Sequence, residues 1–73
     1  MTHYLIGRVG EGGPGIASTR DLEGLLATVP QLEPGEYWIA IDRVCWGLAW
    51  VFSPSEWEID AKGLRAGPGY IIV

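Results

Sequence analysis

One cysteine, Cys45, in a chain of 73 residues removes the usual means of holding so small a domain together. An internal disulfide needs two cysteines, and a cysteine zinc site needs more. A single core of this size is marginal, because ordering costs about 1.5 kcal/mol per residue and core burial barely exceeds that. With no staple, the chain must rely on dense packing, self-association or both. The material for packing is present, since 48% of the residues are hydrophobic and four are Trp. That content argues against disorder. Two independent cores cannot be built from so few residues, so residues 1–73 are expected to form one domain.

Charge narrows the partners. The net charge is -4, and the five basic residues, Arg8, Arg20, Arg43, Lys62 and Arg65, are scattered. Nucleic-acid affinity rests on neutralising phosphates with Lys and Arg, so direct binding to nucleic acid is not expected. An acidic surface instead suits a basic protein. The N-terminal residues lack the charged start and apolar stretch of a signal peptide. The longest apolar run, Val44 to Phe52, contains Gly47 and falls well short of the ~20 residues of a membrane span. A cytoplasmic location with no membrane partner is the resulting expectation.

Periodicity outlines the elements. His3 to Val9 alternates as a first strand, and Gly10 to Gly15 breaks it. Ser18 to Pro30 reads as a helix, with Ser18 as N-cap, Asp21 reaching back as a capping box, and Leu22, Leu25, Leu26 and Val29 as one apolar stripe. Pro30 ends it. Glu33-Pro34-Gly35-Glu36 is a turn. Tyr37 to Val44 and Trp46 to Phe52 are strands, joined by a hairpin around Asp42 to Cys45, with Trp46, Leu48, Trp50 and Phe52 on one face. Ser53 to Gly63 supports two readings. Ser53, Pro54 and Glu56 suit the first turn of a helix, whereas Glu56 to Asp60 alternates as a strand. Ala66 to Gly69 is a loop, and Tyr70 to Val73 is a last, apolar strand expected to be buried. The fold class is therefore α+β: a small, mostly antiparallel sheet of three to five strands, in β-α-β-β-β order, with one helix packed on one face.

The inventory for catalysis is thin, and no enzyme activity is expected. His3 is the only histidine and lies beside the terminus, so a nucleophile–base pair has little to draw on. Cys45 sits between Val44 and Trp46, an apolar setting that keeps a thiol inert. Glu56, Glu58 and Asp60 share a strand face, but solvated carboxylates are the ordinary meaning of that pattern, and no calcium-loop spacing occurs. The loop Gly10-Glu11-Gly12-Gly13-Pro14-Gly15 follows a strand and precedes a helix, yet lacks the Lys-Ser or Lys-Thr of a phosphate loop, and Glu11 would repel phosphate. No catalytic residue, metal ligand or cofactor is assigned.

Tryptophan and carboxylate carry the functional signal. Trp dominates interface hot spots. Two of the four Trp are expected in the core and one or two at the surface. An exposed Trp bordered by acids suits a basic, groove-bearing protein, and the candidate contact residues are Glu33, Glu36, Trp38, Asp42, Glu56, Trp57, Glu58 and Asp60. The layout of a strand directly after Met1, one helix and a short antiparallel sheet, on an acidic single domain, resembles small phage-encoded inhibitors of bacterial defence, notably anti-CRISPR proteins. The resemblance spans the whole chain in layout and includes no diagnostic motif, so it carries over no residues. It implies a non-enzymatic inhibitor, phage- or bacteria-encoded, that blocks a basic nucleic-acid-binding surface of a CRISPR effector complex. The alternatives are a homo-oligomeric structural or assembly subunit built through Tyr70 to Val73, and an immunity or antitoxin protein that neutralises a basic enzyme.

Overall fold

The computed structural model describes residues 2–13 and 15–72. Seven strands and one short helix follow one another as β1 (Tyr4–Arg8), β2 (Ala17–Thr19), α1 (Leu22–Thr28), a 3-10 turn (Val29–Gln31), β3 (Gly35–Ile41), β4 (Val44–Ser53), β5 (Glu56–Ala61), β6 (Leu64–Gly67) and β7 (Tyr70–Ile72). All strands join one antiparallel sheet in the order β2-β1-β3-β4-β5-β6-β7. The expected three to five strands in β-α-β-β-β order are thus corrected. Strand dominates, the helix has seven residues, and the architecture is closer to all-β than to a balanced α+β fold.

The departures have local causes. Ser18 does not cap the helix, because it is in β2 and pairs with Leu5. Asp21 takes the role instead, its Oδ1 accepting the Gly24 N–H at 2.7 Å. That satisfies one of the free N–H groups at a helix start. The α-helix stops at Thr28, and Pro30 occupies the first turn of the 3-10 segment, where its missing N–H costs nothing. Ser53 does not open a helix either. Its hydroxyl accepts the Ser55 N–H at 3.3 Å, which turns the chain through Pro54 and Ser55 so that β5 starts at Glu56. The alternating Glu56 to Asp60 pattern is therefore a strand.

The hairpin joining β3 and β4 closes tightly. Ile41 pairs with Val44, and Asp42 and Arg43 between them both have positive φ, 48° and 72°. That pair of left-handed residues is the two-residue turn whose twist matches the flanking strands. Val44 and Cys45, expected in the turn, are already strand. Farther on, Leu64 to Gly67 forms β6 where a loop is expected from Ala66 onward, and Tyr70–Ile72 is an exposed edge strand where burial is expected.

Directly paired residues project to the same face of a sheet, which separates two surfaces. One carries Ile6, Tyr37, Ile39, Ala49, Val51, Ile59 and Ala66, all buried, and together with Leu25 and Val29 they form the core. Leu22, Leu26 and Leu32 pack on its margin. Among the described residues no helix covers the opposite surface of the central strands.

Candidate functional site: the open face of the sheet

The uncovered surface is organised in cross-strand rows. Gly7, Trp38, Leu48, Asp60, Arg65 and Ile72 stand opposite one another across six strands. The neighbouring row is Glu36, Trp50 and Glu58 on β3, β4 and β5. Leu5 and Ala40 are paired beside them. Indole and leucine side chains thus sit at the centre of the face, and carboxylates border them on two sides.

The two indoles are held in different ways. A Cβ on Gly7 would come within 2.8 Å of three atoms of the six-membered ring of Trp38, so the absence of a side chain there is what lets the ring lie on the β1 backbone. Gly7 is therefore a floor for Trp38. Trp50 is held by its polar atom. Its Nε1 donates to Glu36 Oε2 at 2.9 Å, while Glu58 stands on its other side in register. Both rings are half-buried, and Leu48 is 36% exposed.

The electrostatics are one-sided. Glu36, Glu56, Glu58 and Asp60 alternate onto this face, and Arg65 is the cation among them. Arg65 Nη2 meets Glu58 Oε1 at 3.0 Å. The hydrogen bond that Arg65 donates to Glu58, and then the charge of Asp60, push the Arg65 guanidinium pKa above its ordinary value, so it stays charged. Four carboxylates against one guanidinium leave the face net negative. Asp60 and Glu56 are exposed.

The candidate contacts divide on this basis. Glu36, Trp38, Glu56, Glu58 and Asp60 are brought together on the open face. Glu33, Asp42 and Trp57 are not. Glu33 braces the other side, its Oε2 accepting from Arg8 Nη2 at 2.8 Å, while its carbonyl accepts the Tyr37 hydroxyl. Asp42 lies in the hairpin turn, where its Oδ1 accepts the His3 N–H at 3.1 Å. Trp57 pairs with Val51 and packs against the core. Trp46 also leaves the face expected for it. The register shifts after Ile39, where Gly47 pairs with Ile39 but Cys45 with Ala40, so Trp46 is an extra residue in β4. Such a bulge re-aims the side chain. Its indole packs against the core, 5.6 Å from the Tyr4 ring between centroids, and donates to the Lys62 carbonyl at 2.9 Å.

All four Trp are half-buried; Trp46 and Trp57 pack against the core, and Trp38 and Trp50 lie on the open face. The additional members of the face are Leu5, Gly7, Leu48, Trp50 and Arg65. Period-two alternation along β3 and β4 carries the signal for Leu48 and Trp50. Gly7 has no signal of its own, since its partner is thirty-one positions away.

Among the described residues no group of three or more His, Cys, Asp and Glu could hold a metal ion. No helix among the described residues is long and apolar enough to cross a membrane. Cys45 is exposed rather than buried, because the strand end on which it lies reaches past the core. No family model matches this chain, and no curated protein or solved structure matches it.

Proposed function

We propose that this domain is a non-enzymatic binding module whose open sheet face docks on a basic, nucleic-acid-binding protein and occupies the groove used by nucleic acid. The observation that carries the reading is the setting of Trp50, an indole fixed between Glu36 and Glu58 and flanked by Trp38 and Leu48. An aromatic anchor with its N–H satisfied and its ring accessible is the side chain that contributes most when an interface closes. A border of carboxylates steers such a patch toward positive potential and away from nucleic acid itself.

The specific form of this reading is inhibition of a bacterial defence complex, with the carboxylate rows taking the place of phosphates in a basic channel. Glu36, Trp38, Glu56, Glu58 and Asp60 make the contact, together with Leu48 and Trp50. Competition tests the reading. The tagged domain captures its partner from bacterial lysate, and the purified partner is then bound to a labelled DNA or RNA oligonucleotide. Displacement of the oligonucleotide by the domain, weakened by added salt, is the expected result. Simultaneous binding of both ligands would show that the groove is not the target.

A further inference from the structure

Among the described residues strand β7 ends the sheet with one edge unpaired, and we infer that this edge joins two copies of the chain into one continuous sheet. The inference is independent of the open face and concerns a different surface. An edge strand presents a row of free N–H and C=O groups, and soluble proteins guard such rows with charge, proline or a covering element. Tyr70, Ile71 and Ile72 carry no such guard and are 41%, 52% and 61% exposed. The opposite edge, β2, is polar at Ser18 and Thr19 and runs directly into α1.

The strand is complementary to itself. An antiparallel pair around a two-fold axis through Ile71 sets Ile71 against Ile71 of the second copy. Tyr70 then faces Ile72 of the second copy on the other surface, twice over. Aromatic and β-branched side chains directly opposite one another are favourable cross-strand pairs. Ile71 shares the core surface with Ala66, and beside β7 lies a groove of about 420 Å³ lined by Leu26, Trp57, Gly67, Pro68, Tyr70 and Ile71 itself. The second copy's strand brings its own Ile71 against that groove.

Charge selects the occupant. Neither the strand nor the groove lining contains a charged side chain, so two copies meet here without local repulsion. The open face could not do the same, because its carboxylates would confront those of the copy. A contact of three residues per strand is small, so the dimer belongs with weak, reversible interfaces that bury less than about 1,200 Å².

Cysteine cross-linking reads the register. In a Cys45→Ser background, Ile71→Cys sets two sulfurs on directly opposite residues, about 4.5–5.5 Å apart at Cα and within disulfide reach. Ile72→Cys places the two cysteines about 8 Å apart, beyond it. Rapid disulfide dimer formation by Ile71→Cys, with Ile72→Cys and Lys62→Cys at least about tenfold slower, is the expected result. Equal rates at the three positions would overturn the inference. Sedimentation provides a second reading without new thiols. The unmodified chain should show a mass that rises with concentration up to about 1 mM, and Ile72→Lys should remain a monomer with an unchanged circular dichroism spectrum. A unmodified chain that stays monomeric throughout, or an Ile72→Lys variant that associates equally well, would also overturn it. Glu56→Lys with Asp60→Lys should leave the dimer intact, which separates this surface from the open face.

Discussion

Replacing Gly7 with Ala sets two effects of opposite sign against each other. Alanine restricts the unfolded chain and suits a strand better than glycine, a gain of about 0.5–1 kcal/mol where the space is open. At Gly7 the space is taken by the ring of Trp38. If the ring holds its place, overpacking costs about 1–3 kcal/mol. If it swings into solvent, it loses the burial of one ring face, roughly 60 Å² at about 25 cal/mol per Å², or about 1.5 kcal/mol. Either route outweighs the gain, and the net loss is about 1 kcal/mol, which lowers the midpoint of a domain this size by about 4–8 °C. Thermal and urea unfolding of the single and double variants measures it. In a Trp38→Ala background the obstruction is gone, and Gly7→Ala should become stabilising by about 0.5–1 kcal/mol. A Gly7→Ala variant that is more stable than the parent, or a cycle without coupling, would refute the role of Gly7 as the floor of the site.

Gly47→Ala should be harsher than Gly7→Ala. The new Cβ would meet the Asp60 carbonyl oxygen at 2.6 Å as well as Ala61, and backbone cannot swing aside as an indole can, so a loss above about 2 kcal/mol in urea unfolding is expected. Arg43→Gly should stabilise by about 1 kcal/mol, because it relieves a left-handed residue at φ 72°, and a raised denaturation midpoint is the readout. Asp21→Ala removes the acceptor for the Gly24 N–H and should cost about 1 kcal/mol of stability by the same assay.

The sequence made some of this structure legible and hid the rest for definable reasons. Period-two patterns along Tyr4–Arg8, Gly35–Ile41 and Glu56–Asp60 identify strands that are buried on one side only. Strand β2 is too short to show a period, and Ser18 has the chemistry of a helix cap, so its pairing with Leu5 is invisible locally. Strand β6 ends among glycines and a proline that read as a loop. Gly67 is needed there because a Cβ would press on Tyr70 and on the Trp57 carbonyl. Trp46 turns to the core through a bulge, a property of the β3–β4 register rather than of its neighbours. The last strand is apolar yet exposed, because the sheet from β3 onward is a meander that puts β7 at its edge, paired among the described residues with β6 alone. Within the site, the acid row on β5 follows from alternation alone. The grouping of Trp38, Leu48 and Trp50 needs the strand order.

The most direct measurement is the affinity of the captured partner for the unmodified domain and for Glu56→Lys with Asp60→Lys, across a salt series. Both side chains are exposed and neither makes a side-chain hydrogen bond among the described residues, so the exchange alters the face and not the fold. The account requires association at least about tenfold slower and a flatter salt dependence in the variant, because rim charges act mainly on the encounter rate. Equal rates and equal salt slopes would place the docking surface elsewhere on the molecule.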